Sequence, residues 1–248
     1  MIGLKNKNDI KEIQTGAKIL SAILQEIAQN AKPGVSTKQL NDLAEKLILK
    51  NNCKSNFKGY GGYPTALCTS VNSAVVHGVP SNYILKEGDI VGLDIGLIYK
   101  GWHCDMSRTV PIGRVDQDIM RLLKATKHAL KIGIKQVKPG KNFGDIGYAI
   151  QKYVEEQGFS VVRDLCGHGI GRSLHEEPEV ANYGEIKQGP KIEEGMVFCI
   201  EPMVNMGTWQ VKKGHDGFSF QTLDGKPSAH FEHMIAVTKH GAKILTKF

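Results

Sequence analysis

Glu87-Gly88-Asp89-Ile90-Val91-Gly92-Leu93-Asp94 and Glu194-Gly195-Met196-Val197-Phe198-Cys199-Ile200-Glu201 superimpose at a shift of 107 residues. Each is an apolar, strand-like run that opens on Glu-Gly and ends in a carboxylate. Upstream, Lys32-Pro33-Gly34 and Lys138-Pro139-Gly140 superimpose at a shift of 106. An amphipathic helix precedes each turn. In the first, Ile10, Ile13, Ala17, Leu20, Leu24 and Ile27 form one stripe, with Asp9 or Asn8 to cap its start. In the second, which follows Asp116, the stripe is Ile119, Leu122, Leu123, Ala129, Leu130 and Ile134. After the first turn, Ser36 and Gln39 predict a capping box for a helix bearing Leu40, Leu43, Ala44, Leu47 and Ile48. Ile146, Ala149, Ile150, Tyr153 and Val154 match that stripe after the second turn. Downstream, His103-Cys104-Asp105-Met106 resembles His230-Phe231-Glu232-His233. Shared periodicity alone does not explain matching Lys-Pro-Gly turns and carboxylates in register. The pattern predicts an α/β (α+β) chain, residues 1–248 in a single domain. Its two helix-helix-strand-strand halves, about 5–115 and 116–245, are related by approximate two-fold symmetry.

The chain has 248 residues, of which 41% are hydrophobic and 23% charged, which excludes disordered and fibrous classes. A net charge of +7 is accounted for by scattered lysines, and no specific nucleic-acid partner is expected. No apolar window approaches the ~18 residues of a membrane span, and the N-terminus lacks a signal-peptide core. Cys53, Cys68, Cys104, Cys166 and Cys199 are scattered without CxxC pairs, consistent with a reducing, cytoplasmic compartment and not with a disulfide framework.

The acids are expected to converge. Asp89–Leu97 and Trp102–Val110 read as strands around Tyr99-Lys100-Gly101; with Lys100 and Gly101 as the loop, Asp105 lies opposite Gly96, on the face of Asp94. Charged groups left unpaired among such apolar neighbours would be costly. With Glu201 and Glu232 added, four converging carboxylates repel one another and call for cations. Two divalent ions ~3.5–4 Å apart, bridged by carboxylates and a hydroxide, make a hydrolytic site. His77, His168 and His175 lie in loops that fit this site, His168 within Cys-Gly-His-Gly-Ile-Gly, where glycine lets backbone approach a bound group. That segment lacks the endings of the phosphate-binding loops. His233, beside Glu232, is expected to support the ligands from behind, whereas His103, His128, His215 and His240 read as ordinary polar residues.

These residues resemble the type I methionine aminopeptidases, of the pita-bread fold with its curved antiparallel sheet. Aminopeptidase P, prolidase and creatinase share that fold. The resemblance spans essentially the whole chain and is carried by Lys-Pro-Gly-Val-Ser-Thr, Thr-Ser-Val-Asn, Gly-His-Gly-Ile-Gly, His-Glu-Glu-Pro and Ile-Glu-Pro-Met. It implies a metalloaminopeptidase that removes the initiator methionine from nascent proteins. Asp94, Asp105, His168, Glu201 and Glu232 fall on its five ligand positions for two divalent ions (Co, Mn, Fe or Zn). By that resemblance Asp105 and Glu232 bridge the ions, Asp94 binds one, and His168 with Glu201 completes the other. Glu201 relays the proton of the attacking water, His175 polarises the carbonyl or stabilises the oxyanion, and His77 contacts the scissile amide nitrogen.

The methionine pocket draws on Tyr60, Tyr63, Cys68, Phe57, Leu174 and Phe218, and Asn72 with Ser228 matches a monovalent-cation position. The resemblance also implies nascent N-termini as partners, transient ribosome association and a monomer. Cys104, Met106, Ser73, Ala74, Leu165, Leu174 and Phe218 depart from the family's usual residues around intact ligands. Two other functions compete: a pita-bread peptidase acting on X-Pro bonds, and a non-catalytic relative binding RNA, ribosome or protein. The second predicts lost ligands, and none is lost.

Overall fold

The computed structural model describes residues 2–247. The four striped segments form helices α1 (Lys7–Asn30), α2 (Thr37–Lys50), α3 (Gln117–Gln136) and α4 (Phe143–Glu156). Ser36 caps α2 as expected: its Oγ accepts from the Gln39 N–H at 3.1 Å, and Gln39 Oε1 accepts from the Ser36 N–H at 2.8 Å. Asp116 caps α3, accepting from the Asp118 N–H at 2.8 Å. The start of α1 differs from the expectation. Asn6 is the cap, and its Oδ1 accepts from Asn8 and Asp9 at 2.8 and 3.0 Å. Asp9 returns the bond to the Asn6 N–H at 3.0 Å. An apolar stripe marks the buried face but not the point where the chain enters the helix.

Among the described residues the strands form four antiparallel segments of four, three, three and five strands. In the first, Ile90–Tyr99 is central, with Trp102–Pro111 on one side and Leu67–Val71 and Lys54–Ser55 on the other. Lys100 (φ 49°) and Gly101 (φ 77°) both adopt the left-handed conformation that a two-residue type I′ turn requires. The ladder closes at Tyr99 opposite Trp102 and sets Asp105 opposite Gly96, the register expected. The five-stranded segment runs in the order Gly241–Ile244, His233–Thr238, Val197–Ile200, Gly167–Gly169, Glu176–Val180.

The two acid-bearing regions are not built alike. Asp94 sits inside a ten-residue strand, whereas Glu201 comes directly after Ile200, where Pro202 has no N–H to continue a ladder. Glu232 occupies the break between Ser228–His230 and His233–Thr238. Its N–H donates to the Ser107 carbonyl at 3.0 Å, and Phe231 bridges to Arg108, so the break joins the two regions.

Strand alternation decides where the acids emerge. Leu93, Ile95 and Leu97 are fully buried in a cluster with residues of α1 and α2. Each contributes about 1.5–3 kcal/mol over exposure, enough to pin the face on which Asp94 lies. Cys104 Sγ meets the Ile13 carbonyl and Met106 Sδ meets Ser21 Oγ, so Asp105 between them points away from α1. On the other side, the Phe198 ring packs 4.9 Å from Phe143 of α4, and Ile200 lies against Gly133 of α3. Cys199 and Glu201 therefore share the opposite face. The acidic faces meet between two helix-backed apolar clusters.

Candidate metal centre and active site

A cavity of about 760 Å³ is lined by Asp94, Asp105, His168, Glu201 and Glu232, together with His77, His175, Tyr60, Tyr63, Cys68, Phe57, Leu174 and Phe218. One oxygen each of Asp94, Asp105 and Glu232 lie within 4.8 Å of one another, and so do ligand atoms of His168, Cys199 and Glu232. His168 Nε2 stands 3.6 Å from Glu201 Oε1 and 3.9 Å from Asp105 Oδ2. Asn72 and Ser228 do not line the cavity. They meet each other through a bond from the Ser228 N–H to the Asn72 carbonyl at 2.9 Å.

Burial is severe for groups that prefer to be charged: Glu232 is 2% exposed and Asp105 4%. Desolvation pushes the Asp94 carboxyl up to about 6. Asp105, Glu201 and Glu232 are driven well above the carboxylate range, by burial first and then by neighbouring carboxylates. Asp94 Oδ1, Glu201 Oε1 and Glu232 Oε1 have no hydrogen-bond partner, an expensive arrangement unless a cation takes their lone pairs. His168 Nδ1 lies 2.9 Å from the Gly169 carbonyl, which can only accept, so that nitrogen carries the proton and Nε2 keeps its lone pair toward the acids. Burial also holds His168 down to about 4, neutral at pH 7. An oxygen-rich set with one neutral imidazole fits divalent cations.

The glycines beside His168 are required by packing against the neighbouring strands. A Cβ at Gly167 would strike the Cys199 carbonyl oxygen, and one at Gly169 the Glu177 carbonyl oxygen. They let the His168 strand pass between its own neighbours. His77 has φ 58°, sparsely populated for a non-glycine residue. Its conformation is held by Gly78, which accepts from the Thr69 N–H at 2.7 Å and from Tyr63 Oη at 2.9 Å. The apolar wall is ordered by Tyr63, whose ring meets Phe218 edge-on at 5.4 Å. Tyr60, half exposed, places its Oη 2.8 Å from His175 Nδ1, and the His175 ring stands 4.4 Å from that of His168.

Residues 11–239 match the sequence profile of metallopeptidase family M24. The chain belongs to metallopeptidase family M24. This M24 chain is 45% identical over 246 residues to the methionine aminopeptidase of Clostridium perfringens, covering 99% of each chain. It is 42% identical over 247 residues to methionine aminopeptidase 1 of Bacillus subtilis, covering all of both. The crystal structure of methionine aminopeptidase from Rickettsia prowazekii superimposes with a TM-score of 0.98 at 42% identity over 100% of both chains. The prolidase from Pyrococcus furiosus matches with a TM-score of 0.79 at 22% identity, covering 99% of this chain and 65% of that one, a likeness of fold alone. The M24 chain thus has the pita-bread fold that the resemblance implied.

Three features in and around the site of the M24 chain escaped the sequence. His230, not His233, stands behind the acids: its Nε2 is 3.4 Å from Glu201 Oε2, whereas His233 Nδ1 turns to Thr246 Oγ1 at 3.1 Å. Adjacent residues in extended chain point to opposite faces, so the neighbour of Glu232 in sequence is not its neighbour in space, and His230, two residues away, is. The same parity, applied to Glu201, points to Cys199, whose Sγ is in the cluster with His168 and Glu232. Lys213, in a segment without periodicity, reaches the cavity wall.

Proposed function

We propose that this M24 chain is a methionine aminopeptidase that removes the initiator methionine from nascent polypeptides by two-metal hydrolysis of the first peptide bond. The observation that carries this is the convergence of Asp94, Asp105 and Glu232 beside His168 in a cavity with a sulfur- and ring-lined wall. Asp105 and Glu232 would bridge two cations, Asp94 would hold one, and His168 with Glu201 the other. When bound, the two ions (Co, Mn, Fe or Zn) supply Lewis-acid activation of water and of the scissile carbonyl. Glu201 accepts the proton of the attacking water, standing 3.6 Å from His168 on the cavity wall. His175 donates to the developing oxyanion, and His77 contacts the scissile amide nitrogen.

Tyr60, Tyr63, Cys68, Phe57, Leu174 and Phe218 take the methionine side chain, a thioether suited to rings and sulfur. Asn72 and Ser228, joined through their backbones, would contribute to a monovalent-cation site away from this cavity. The chain works as one catalytic domain of two related halves. It acts as a cytoplasmic monomer, docking transiently near the ribosome where new N-termini emerge. No helix among the described residues is long and apolar enough to cross a membrane. The test is an assay of Met-Ala-Ser against Ala-Pro peptides with added Mn or Co, paired with elemental analysis. Release of methionine and two equivalents of metal are expected. Preference for Ala-Pro would assign the chain to the X-Pro peptidases instead.

A further inference from the structure

Lys213 ends the strand Val211–Lys213 and lies opposite Phe220, which in turn lies opposite Val76, the residue before His77. A three-stranded sheet thus carries Lys213 beside Phe220, with His77 directly after its third strand Ala74–Val76. The Lys213 ammonium stands 4.3 Å from the centroid of the Phe220 ring, and that ring stands 6.1 Å from the His77 ring. Among the described residues Lys213 is the one lysine or arginine lining the cavity. The same cavity is lined by Asp164, Glu177 and Glu179, and by Glu176, which is paired to Lys5 at 2.7 Å. Lys213 forms no ion pair with any of these within 4 Å among the described residues; its partner is an aromatic face. A cation held on a ring keeps its N–H donors for something else.

We infer that Lys213 is a specificity-determining residue that favours substrates carrying a carboxylate just beyond the scissile bond. The inference rests on the proposed aminopeptidase function, which places the scissile nitrogen at His77 and the methionine side chain against the tyrosines. The departing peptide then leaves on the Lys213 side. An extended chain covers about 3.5 Å per residue, so a cation one ring beyond His77 falls beside the first two residues after the cleaved bond. At that range a side-chain carboxylate is attracted and an ammonium repelled, with screening over about 8 Å at physiological salt.

The test compares kcat/KM for the amidated peptides Met-Ala-Asp, Met-Ala-Ser and Met-Ala-Lys in wild type, Lys213→Gln and Lys213→Glu, loaded with Mn. Met-Ala-Ser with a free C-terminus separates a terminal carboxylate from a side-chain one. Wild type is expected to prefer Asp to Lys by about threefold to tenfold at low salt, the range of solvent-accessible ion pairs acting in both directions. The preference should fade in Lys213→Gln, invert in Lys213→Glu and shrink as salt rises. Equal Asp-to-Lys ratios in all three proteins would overturn the inference. So would a uniform loss on every peptide, which would mark a contact to backbone carbonyl. A preference tied only to the free C-terminus would overturn the side-chain assignment. Failure of wild type to release methionine from Met-Ala-Ser would refute the parent function, and this inference with it.

Discussion

Tyr60 Oη and His175 Nδ1 are 2.8 Å apart, joining a half-exposed turn to a histidine in the cavity. The bond occupies one ring nitrogen of His175 and leaves the other for substrate. A hydrogen bond of this kind contributes about 0.5–1.5 kcal/mol, up to about tenfold in rate. Tyr60→Phe should therefore lower kcat by about threefold to tenfold while metal content, measured by elemental analysis, stays at the wild-type level. Loss of metal from that variant would place Tyr60 in the ligand scaffold instead.

Asp105→Ala and Glu232→Ala each remove a bridging carboxylate from the proposed centre. Both should abolish methionine release and lower bound metal. His77→Ala, lacking the contact to the scissile nitrogen but none of the ligands, should slow turnover by about a hundredfold or more with metal retained. Full activity in Glu232→Ala, or in metal-stripped wild type, is incompatible with a two-metal mechanism.

The metal-free protein should respond to pH in an unusual direction. Asp94 is raised to about 6, and Asp105, Glu201 and Glu232 are raised well above the ordinary carboxylate range, so the folded state binds protons that the unfolded state releases near pH 4. That contribution is present at low pH and lost as pH rises through the folded values. His77, His168 and His230, lowered to about 4, act oppositely between pH 4 and 6.5 and fall silent above it. Above pH 6.5 the acids dominate. Chelator-treated protein should lose Tm from pH 6.5 to 8, and added Mn should flatten the slope; a Tm that climbs over this range without metal would contradict it.

Gly16 of α1 faces the first hairpin, where an added Cβ would stand 2.9 Å from both Cys104 Sγ and Tyr99 Cβ. Alanine gains about 1 kcal/mol of helix propensity there. Overpacking costs about 1–3 kcal/mol. The clash should win, and Gly16→Ala should lower the urea midpoint without changing the slope of the transition.

Much of this molecule was legible in its sequence because local chemistry agreed with global packing. Lys100-Gly101 dictated the turn, the turn dictated that Asp105 oppose Gly96, and Ser36 with Gln39 marked the start of α2. What stayed hidden depended on breaks and on side-chain parity. The chain is irregular at Glu232, which obscured the face shared with His230. Cys199 read as one more apolar strand residue, though its spacing from Glu201 placed it on the acidic face. Asn6 lies before the apolar stripe of α1, so nothing in the stripe could name it as the cap. Lys213 owes its place to a small sheet whose pairing with Ala74–Val76 is distant in sequence.

The alternation of the acid-bearing strands also governs where this chain can change length. Leu93 and Ile95 bury against the α1 and α2 side while Asp94 between them faces the cavity. A single-residue insertion or deletion in the strand Ile90–Tyr99 would present leucines to the cavity and drive a carboxylate into the hydrocarbon layer. The connection 206–227 carries none of the five proposed ligands and holds only short strands. Length variation among relatives is therefore expected to collect there, with the ligand-bearing strand tolerating exchange of residues but not of residue count.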